Sequence, residues 1–327
     1  MGRAMATHVL VTIDTELSAG RQARGWSVRA NFDSSITGRC AAGDFGLGWQ
    51  LDRLEAAGLR GVCFVDPMPA LVHGRQIIAD IVGPIVARGH EVQLHIHTEW
   101  LEWAAASPVG GARGRNIGDF CPRDQHILLA LARDLLVAAG APPPCAFRAG
   151  NYGASDATIA ALEAIGIGWD SSANPAYLDH GCRLSIDPGT IGPVARSGVT
   201  LLPVSGIADR PGHFRPAQVC ALSAAEMRAG LRHAADAGNP AFVIVSHSFE
   251  MLARDRQRPN RAVMARFEAM CRAIAADPRL RASGFAGLDL PAAAPDAQRL
   301  RSTPWRTGAR MAAQALATLR YERGEGA

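Results

Sequence analysis

Residues 91–100 read EVQLHIHTEW, and the reading of the whole chain hangs on them. As a strand, the segment sets Val92, Leu94 and Ile96 on one face and Gln93, His95 and His97 on the other, because successive side chains in an extended chain point to opposite sides. Both imidazoles therefore point the same way, at the C-terminal end of the run. In parallel α/β barrels that end of each strand delivers the residues of the site.

The flanking sequence repeats the theme. Short β-type runs at 7–13 (THVLVTI), 60–65, 144–148, 166–170, 199–204, 241–247 and, more weakly, 284–288 alternate with helical runs, the pattern of a parallel sheet with crossover helices. Residues 124–139 carry Ile127, Leu128, Leu131, Leu135 and Leu136 on one stripe and stop at Gly140 and a proline run. Ser155 with Asp156 starts a helix, and Ser223 with Glu226 has capping-box spacing for one that ends before Gly238. A further amphipathic helix over 260–276 is closed by Pro278. Residues 18–46 and 105–122 lack periodicity and are rich in Gly, Arg and Asp; long unpatterned loops in a compact domain are usually functional, so both are expected beside the site. The reading is a single α/β unit over 1–292 and an Ala/Arg-rich extension over 293–327, with a basic helix at about 305–321 that docks on the barrel or on a second subunit. Homo-oligomerisation is left open.

Composition excludes several classes. The 327 residues are 48% hydrophobic and 20% charged, with 34 Lys+Arg against 30 Asp+Glu, which rules out disorder, collagen and a coiled coil. A formal charge of +4 spread over both halves forms no basic stripe, so nucleic acid is not an implied partner. No apolar run approaches the roughly 20 residues that span a bilayer, and MGRAMATHVLVTID does not read as a signal peptide. Seven scattered cysteines (Cys40, Cys63, Cys121, Cys145, Cys182, Cys220 and Cys271) without a CxxC argue against a disulfide framework and a thiolate zinc cage; free thiols in a cytoplasmic protein are expected.

Ionisable residues recur where the apolar runs end: Asp14 and Glu16 after the first, His95 and His97 on the third, Arg148 on the fourth, Asp170 on the fifth, His247 on the seventh. Two imidazoles and a carboxylate with one position left to water make the usual catalytic zinc arrangement. Asp14 or Glu16 can supply the oxygen, and Glu99, four residues after His95, is a rival third ligand.

These residues resemble the polysaccharide deacetylases of carbohydrate esterase family four, which share the NodB homology domain, over roughly residues 7–250 and in five motifs in family order. TIDTE at 12–16 is similar to the first motif, which makes Asp14 the catalytic base and Glu16 a metal ligand. GHEVQLHIHTEW at 89–100 is similar to the second, with His95 as its first ligand. The family's second histidine falls four positions later, where this chain has Glu99; His97 is favoured by the strand alternation, with Glu99 as the alternative. FRAGNYG at 147–153 resembles the third motif, whose arginine, Arg148, pairs with the base. WDSS at 169–172 resembles the fourth, with Asp170 orienting the acid, and VIVSHSFEM at 243–251 the fifth, with His247 as that acid.

The resemblance implies a distorted (β/α) barrel of seven or eight strands and a metal-dependent hydrolase that removes an N-linked acetyl or other acyl group from a carbohydrate. A divalent ion, zinc first, would activate water, Asp14 would take a proton, and His247 would give one to the leaving amine. A backbone N–H near Asn151 and Tyr152 would serve the oxyanion, and Trp100, with Trp103, would offer an indole face to a sugar ring. The expected substrate is an N-acetylated amino sugar, free or linked to a nucleotide, lipid or polymer. The alternatives are a metal-independent, allantoinase-like amide hydrolase and a non-catalytic carbohydrate-binding relative.

Overall fold

In the computed structural model, which describes residues 6–178, 180–294, 297–318 and 321, the run THVLVTIDT forms β1 (Thr7–Thr15). Val9, Leu10, Val11 and Ile13 are fully buried, so the strand is covered on both faces as a central parallel strand must be. Each such side chain contributes roughly 1.5–3 kcal/mol on burial.

The chain continues through α1 (Ala19–Ala23), α2 (Val28–Phe32), a small hairpin of β2 (Arg39–Cys40) and β3 (Gly43–Asp44), and α3 (Leu47–Ala56). Then come β4 (Val62–Val65), α4 (Ala70–His73), α5 (Gln76–Ala87), β5 (Glu91–Ile96), α6 (Pro122–Ala138), β6 (Ala146–Ala149), α7 (Asp156–Ala164) and β7 (Trp169–Asp170). The last third holds β8 (Val194–Arg196), β9 (Val199–Leu201), a hairpin of β10 (Gly206–Arg210) and β11 (His213–Pro216), α8 (Ala224–Asp236), β12 (Ala241–His247), α9 (Arg261–Ala276), β13 (Leu280–Ala282) and α10 (Pro304–Ala317).

The main sheet runs β12-β1-β4-β5-β6-β7-β9-β8, parallel until β8 turns back along β9, and β13 pairs with the start of β1. It curls into a distorted (β/α) half-barrel. Segments outside the ladder bridge the open side: Ser205 N donates to the Val243 carbonyl at 3.2 Å, Val245 N to Ala217 at 2.9 Å and Val219 N to Val245 at 3.0 Å. Alternation sorts the strand side chains. Val9, Val11, Ile13, Leu94, Ile96 and Ile244 join the cluster with Leu51, Ile81, Leu128 and Phe267 of the helices, whereas Leu10, Val62, Phe64, Ala146 and Val243 fill the interior with Phe285. Above that apolar floor the inward positions turn polar, and the parallel register sets Asp14 beside His247 and His95 beside Arg148.

Several expected boundaries move. The 284–288 strand is replaced by β13 at Leu280–Ala282, and Phe285 instead plugs the barrel floor against Phe64 and Trp169, with ring centroids 5.7 and 5.9 Å away. The 166–170 and 199–204 strands shrink to β7 and β9; beyond β9, Leu202 N still donates to the Asp170 carbonyl, and Ser205 N crosses to Val243 of β12. Residues 18–46, expected to lack periodic structure, carry α1, α2, a π-helical turn and the β2/β3 hairpin. Buried Asn31 ties this excursion to the end of β1 by exchanging hydrogen bonds with Ser18. The helix starts at Ser155 and Ser223 both form capping boxes.

Part of the C-terminal extension packs on the barrel. Ala208 N donates to the Leu300 carbonyl and Ser302 N to the Ala208 carbonyl, so residues 300–302 lie along β10. Arg310 of α10 is buried between Asp209 and Glu226. The expected end of this helix, near 321, adjoins residues 319 and 320, which lie outside the described residues. All seven cysteines are free, and among the described residues no helix is long and apolar enough to cross a membrane.

Candidate active site

Glu16, one residue past β1, meets His95 near the end of β5 and His97 just beyond it, and one ligand atom from each lies within 4.8 Å of the others. His95 Nδ1 is 2.7 Å from the Arg148 carbonyl oxygen, which can only accept; Nδ1 therefore carries the hydrogen, and Nε2 faces Glu16 Oε2 at 3.1 Å. His97 repeats the device, with Glu99 Oε2 2.9 Å from Nδ1 and Glu16 Oε2 2.5 Å from Nε2. Glu99 thus stands behind His97, in the place of an outer partner that orients a ligand ring. Close approach needs glycine at 150, where a Cβ would lie 2.8 Å from the His97 ring and 2.6 Å from the Ile96 carbonyl oxygen.

Burial works against the charge of Glu16, but His97 and His95 outweigh it and hold the carboxyl well below its usual range. Burial likewise works against protonation of His97, and Glu16 with Glu99 drive it well above an ordinary imidazole. A divalent cation would take over what those protons do, since metal binding displaces protons from its ligands. Two Nε2 lone pairs, each steered from behind by the partner of its Nδ1, and one carboxylate oxygen fit a borderline ion such as zinc. Asp66, at the end of β4, is buried nearby; burial pushes it up to about 6, and its Oδ2 has no hydrogen-bond partner.

Beside this cluster, Asp14 Oδ1 accepts from Arg148 Nη1 at 2.6 Å. Arg148 is fully buried; it also donates to Thr12 Oγ1 and to Ser171, and its guanidinium lies over the Phe64 ring at 4.4 Å. Asp14 Oδ2 is left on the side of His247, whose Nε2 is 4.0 Å away.

His247 is backed by Glu250, not by Asp170. Glu250 Oε2 accepts from the His247 backbone N–H at 2.9 Å and lies 3.7 Å from Nδ1, while Oε1 accepts from Gln218 and the Cys220 N–H. Burial disfavours the charge on His247, but Glu250, then Asp14 and Glu16, push it up to about 9. Asp170 is spent on Ser172, accepting from its hydroxyl at 2.6 Å and its N–H at 3.0 Å; Ser172 Oγ in turn accepts from the Ala149 N–H. With burial pushing it up to about 6, Asp170 braces β6 and thereby Arg148. The expected link from Asp170 to His247 is not made: both Asp170 oxygens are taken by Ser172, two residues on. Gln50 of α3 fastens the end of β12 through the His247 carbonyl and Ser246.

These groups open on one cleft of about 410 Å³, lined by Asp14, Glu16, His95, His97 and His247 on one side and by Arg115, Asn116, Tyr177 and His180 around the mouth. Arg115 and Asn116 come from the 105–122 stretch expected beside the site. Asn151 and Tyr152 also line the cleft, both in the left-handed region with φ 54° and 56°, which side-chain-bearing residues adopt at a cost. Trp100 does not line it. It is fully buried and packs edge-on against Trp103, so the expected indole platform is core. The exposed aromatic here is Tyr177, tilted against Tyr152 at 4.9 Å. Nothing in the pattern around Tyr177 marked it, whereas Glu250 had a visible signal in its spacing of three from His247.

No family model and no curated protein matches the sequence. Among solved structures, a Mycobacterium smegmatis protein assigned as a polysaccharide deacetylase aligns over 88% of this chain and 90% of its own, with a TM-score of 0.56 and 17% identity. The fold is that of the polysaccharide deacetylases. A family 4 carbohydrate esterase from Streptomyces lividans, solved with acetate, aligns over 90% of this chain and all of its own, with a TM-score of 0.43 and 14% identity. The 4-alpha-glucanotransferase of Thermococcus litoralis aligns over 86% of this chain but 40% of its own, with a TM-score of 0.52 and 10% identity. The polysaccharide deacetylase fold thus overlaps that of a transferase, and the reaction has to be argued from the site.

Proposed function

We propose that this chain is a metal-dependent hydrolase that removes an N-linked acyl group, acetyl first, from an amino sugar. The observation that carries the reading is the convergence of two imidazole Nε2 atoms on one oxygen of Glu16, beside an arginine-anchored carboxylate and a carboxylate-backed histidine, on one cleft. Glu16, His95 and His97 would hold the ion. When bound, a zinc-type ion lowers the pKa of water to about 7 and polarises a carbonyl.

The remaining work falls to the protein. Arg148 fixes Asp14 through Oδ1, so that Oδ2 is the base that receives the proton of water. His247, which holds a proton up to about pH 9, donates it from Nε2 to the departing amine while Glu250 steadies the imidazolium. The turn at Asn151 and Tyr152 is the candidate source of a backbone N–H for the oxyanion. Tyr177 is the candidate surface for a sugar ring. Asp170 acts only through Arg148, as a positioning residue.

The test is metal analysis of dialysed protein together with acetate release from a panel of N-acetylated sugars, with and without chelator. Stoichiometric metal and chelator-sensitive release are expected. Metal-free protein that still releases acetate, or metal-loaded protein that releases none from any sugar, would overturn the reading.

A further inference from the structure

Glu16 and His95 come from strands that do not touch, because β4 lies between β1 and β5. The parallel register sets Asp14 opposite Phe64 and Phe64 opposite Gln93. Two residues further along each strand, the rung reads Glu16, Asp66, His95. The strands are still in step there, since Asp66 N donates to the Thr15 carbonyl at 3.1 Å. Leu10, Val62 and Phe64 fill the barrel interior, and residues an even number further on, Glu16 and Asp66, share that face. Asp66 thus stands between two members of the Glu16, His95 and His97 cluster, one strand from each.

Its carboxylate is the unfinished one. Among the described residues Asp66, Asp170 and Glu226 are the carboxylates with no exposure at all. Asp170 fills both oxygens with Ser172, and Glu226 fills its own with Ser223 and Arg310. Asp66 Oδ1 accepts the Met68 N–H at 3.0 Å, which closes the turn after β4, but Oδ2 is buried and has no hydrogen-bond partner among the described residues. Besides burial, the groups that act on its charge are His97, His95, the Met68 N–H and Glu16. A carboxylate oxygen shut off from water needs a positive partner. The His95, His97 and Glu16 cluster alone offers a divalent ion one negative charge, because imidazoles bind a metal in their neutral form. Asp66 offers a second.

We propose that Asp66 is the second carboxylate of the cation site, its free Oδ2 balancing a divalent metal ion together with Glu16. The inference rests on the reading that Glu16, His95 and His97 hold an ion; it does not depend on which bond is hydrolysed or on the sugar.

The test is Zn²⁺ titration of the full chain against a chromogenic chelator, with thermal melts of the metal-free and metal-loaded protein. Asp66→Asn keeps an oxygen for Met68 and sets an amide N–H where the free oxygen was. Its Zn²⁺ dissociation constant should rise at least about tenfold, the lower end of what a residue supporting a metal site contributes. Without metal it should melt no lower than the wild type, because an unpaired buried carboxylate has been removed, so the deficit should open only when Zn²⁺ is bound. Asp66→Ser, whose hydroxyl can still accept from the Met68 N–H, should behave alike and decides the matter if the asparagine variant does not fold. A Zn²⁺ affinity within tenfold of the wild type, or a midpoint lowered equally with and without metal, would reduce Asp66 to a turn residue and overturn the inference while leaving the deacetylase reading intact. A wild-type protein that binds no divalent ion would overturn both. Weakened binding in the variants, with no acetate released by the wild type from any sugar, would uphold Asp66 and sink the deacetylase reading.

Discussion

Arg148 and Arg310 both lose almost all contact with water, and both are paired with carboxylates. Around Arg310 every bond closes on protein. Asp209 Oδ2 takes Arg310 and Arg215 at 2.7 Å each and its Oδ1 takes His213, Glu226 caps α8 through Ser223, and Gln314 accepts the remaining fork. Around Arg148 one atom is left over. Asp14 gives Oδ1 to the guanidinium and keeps Oδ2 at the cleft, beside His247 and the Glu16, His95 and His97 cluster. The same ion-pair chemistry fastens a helix where its acceptors are saturated and leaves a reactive group where one oxygen faces a cavity.

Variants can break that contrast in order of size. His95→Ala should remove metal and activity together, beyond the 10²- to 10⁴-fold that a single acid-base group supplies; retention of full activity would falsify the mechanism. His247→Ala should lose about 10²- to 10⁴-fold in kcat while elemental analysis finds the metal retained. On the fastening side, Arg310→Ala should cost about 3–5 kcal/mol in denaturant unfolding, because Asp209 and Glu226 would keep buried charge without it. A loss under 1 kcal/mol would mean that the extension is not pinned as described.

Two smaller effects sharpen the site itself. Glu99→Ala should weaken metal affinity by about 10- to 100-fold, as loss of an outer partner does, whereas His97→Ala should abolish binding; the reverse order would make Glu99 the ligand. Glu250→Gln should move the alkaline limb of the pH-rate profile down from about 9 toward the ordinary histidine value of about 6.5, because Glu250 is the largest influence raising His247. The sign for stability agrees. A histidine raised in the folded state lends stability that is complete below about 6.5 and lost as pH rises through about 9. An unmoved limb would remove Glu250 from the acid's environment.

Much of this was legible in the chain. Apolar runs marked β1, β4 and β12, and strict alternation marked β5, its period of two putting His95 and His97 on one face. The β10/β11 hairpin escaped because HFRP carries no apolar run, its strands being held by Asp209, His213 and Arg215 instead. Trp100 was misread because a single turn of helix has no periodicity to say which side faces the core. The partner of His247 was misassigned because Asp170 and Glu250 are both plausible carboxylates in one dimension, and only the curl of the chain after β12 brings Glu250 back to Nδ1.

Local periodicity and strand-end chemistry were thus enough to name the barrel and most of the residues on its rim, since both follow from how a strand alternates and where a parallel sheet presents its ends. Which carboxylate backs which histidine and which aromatic meets the cleft came from the folded chain alone. Glu99 and Glu250 lie only two and three residues from the histidines they back, so they were local candidates, but choosing Glu250 over Asp170 depends on which side chains meet within about 4 Å in the folded chain, the range over which hydrogen bonds and ion pairs act.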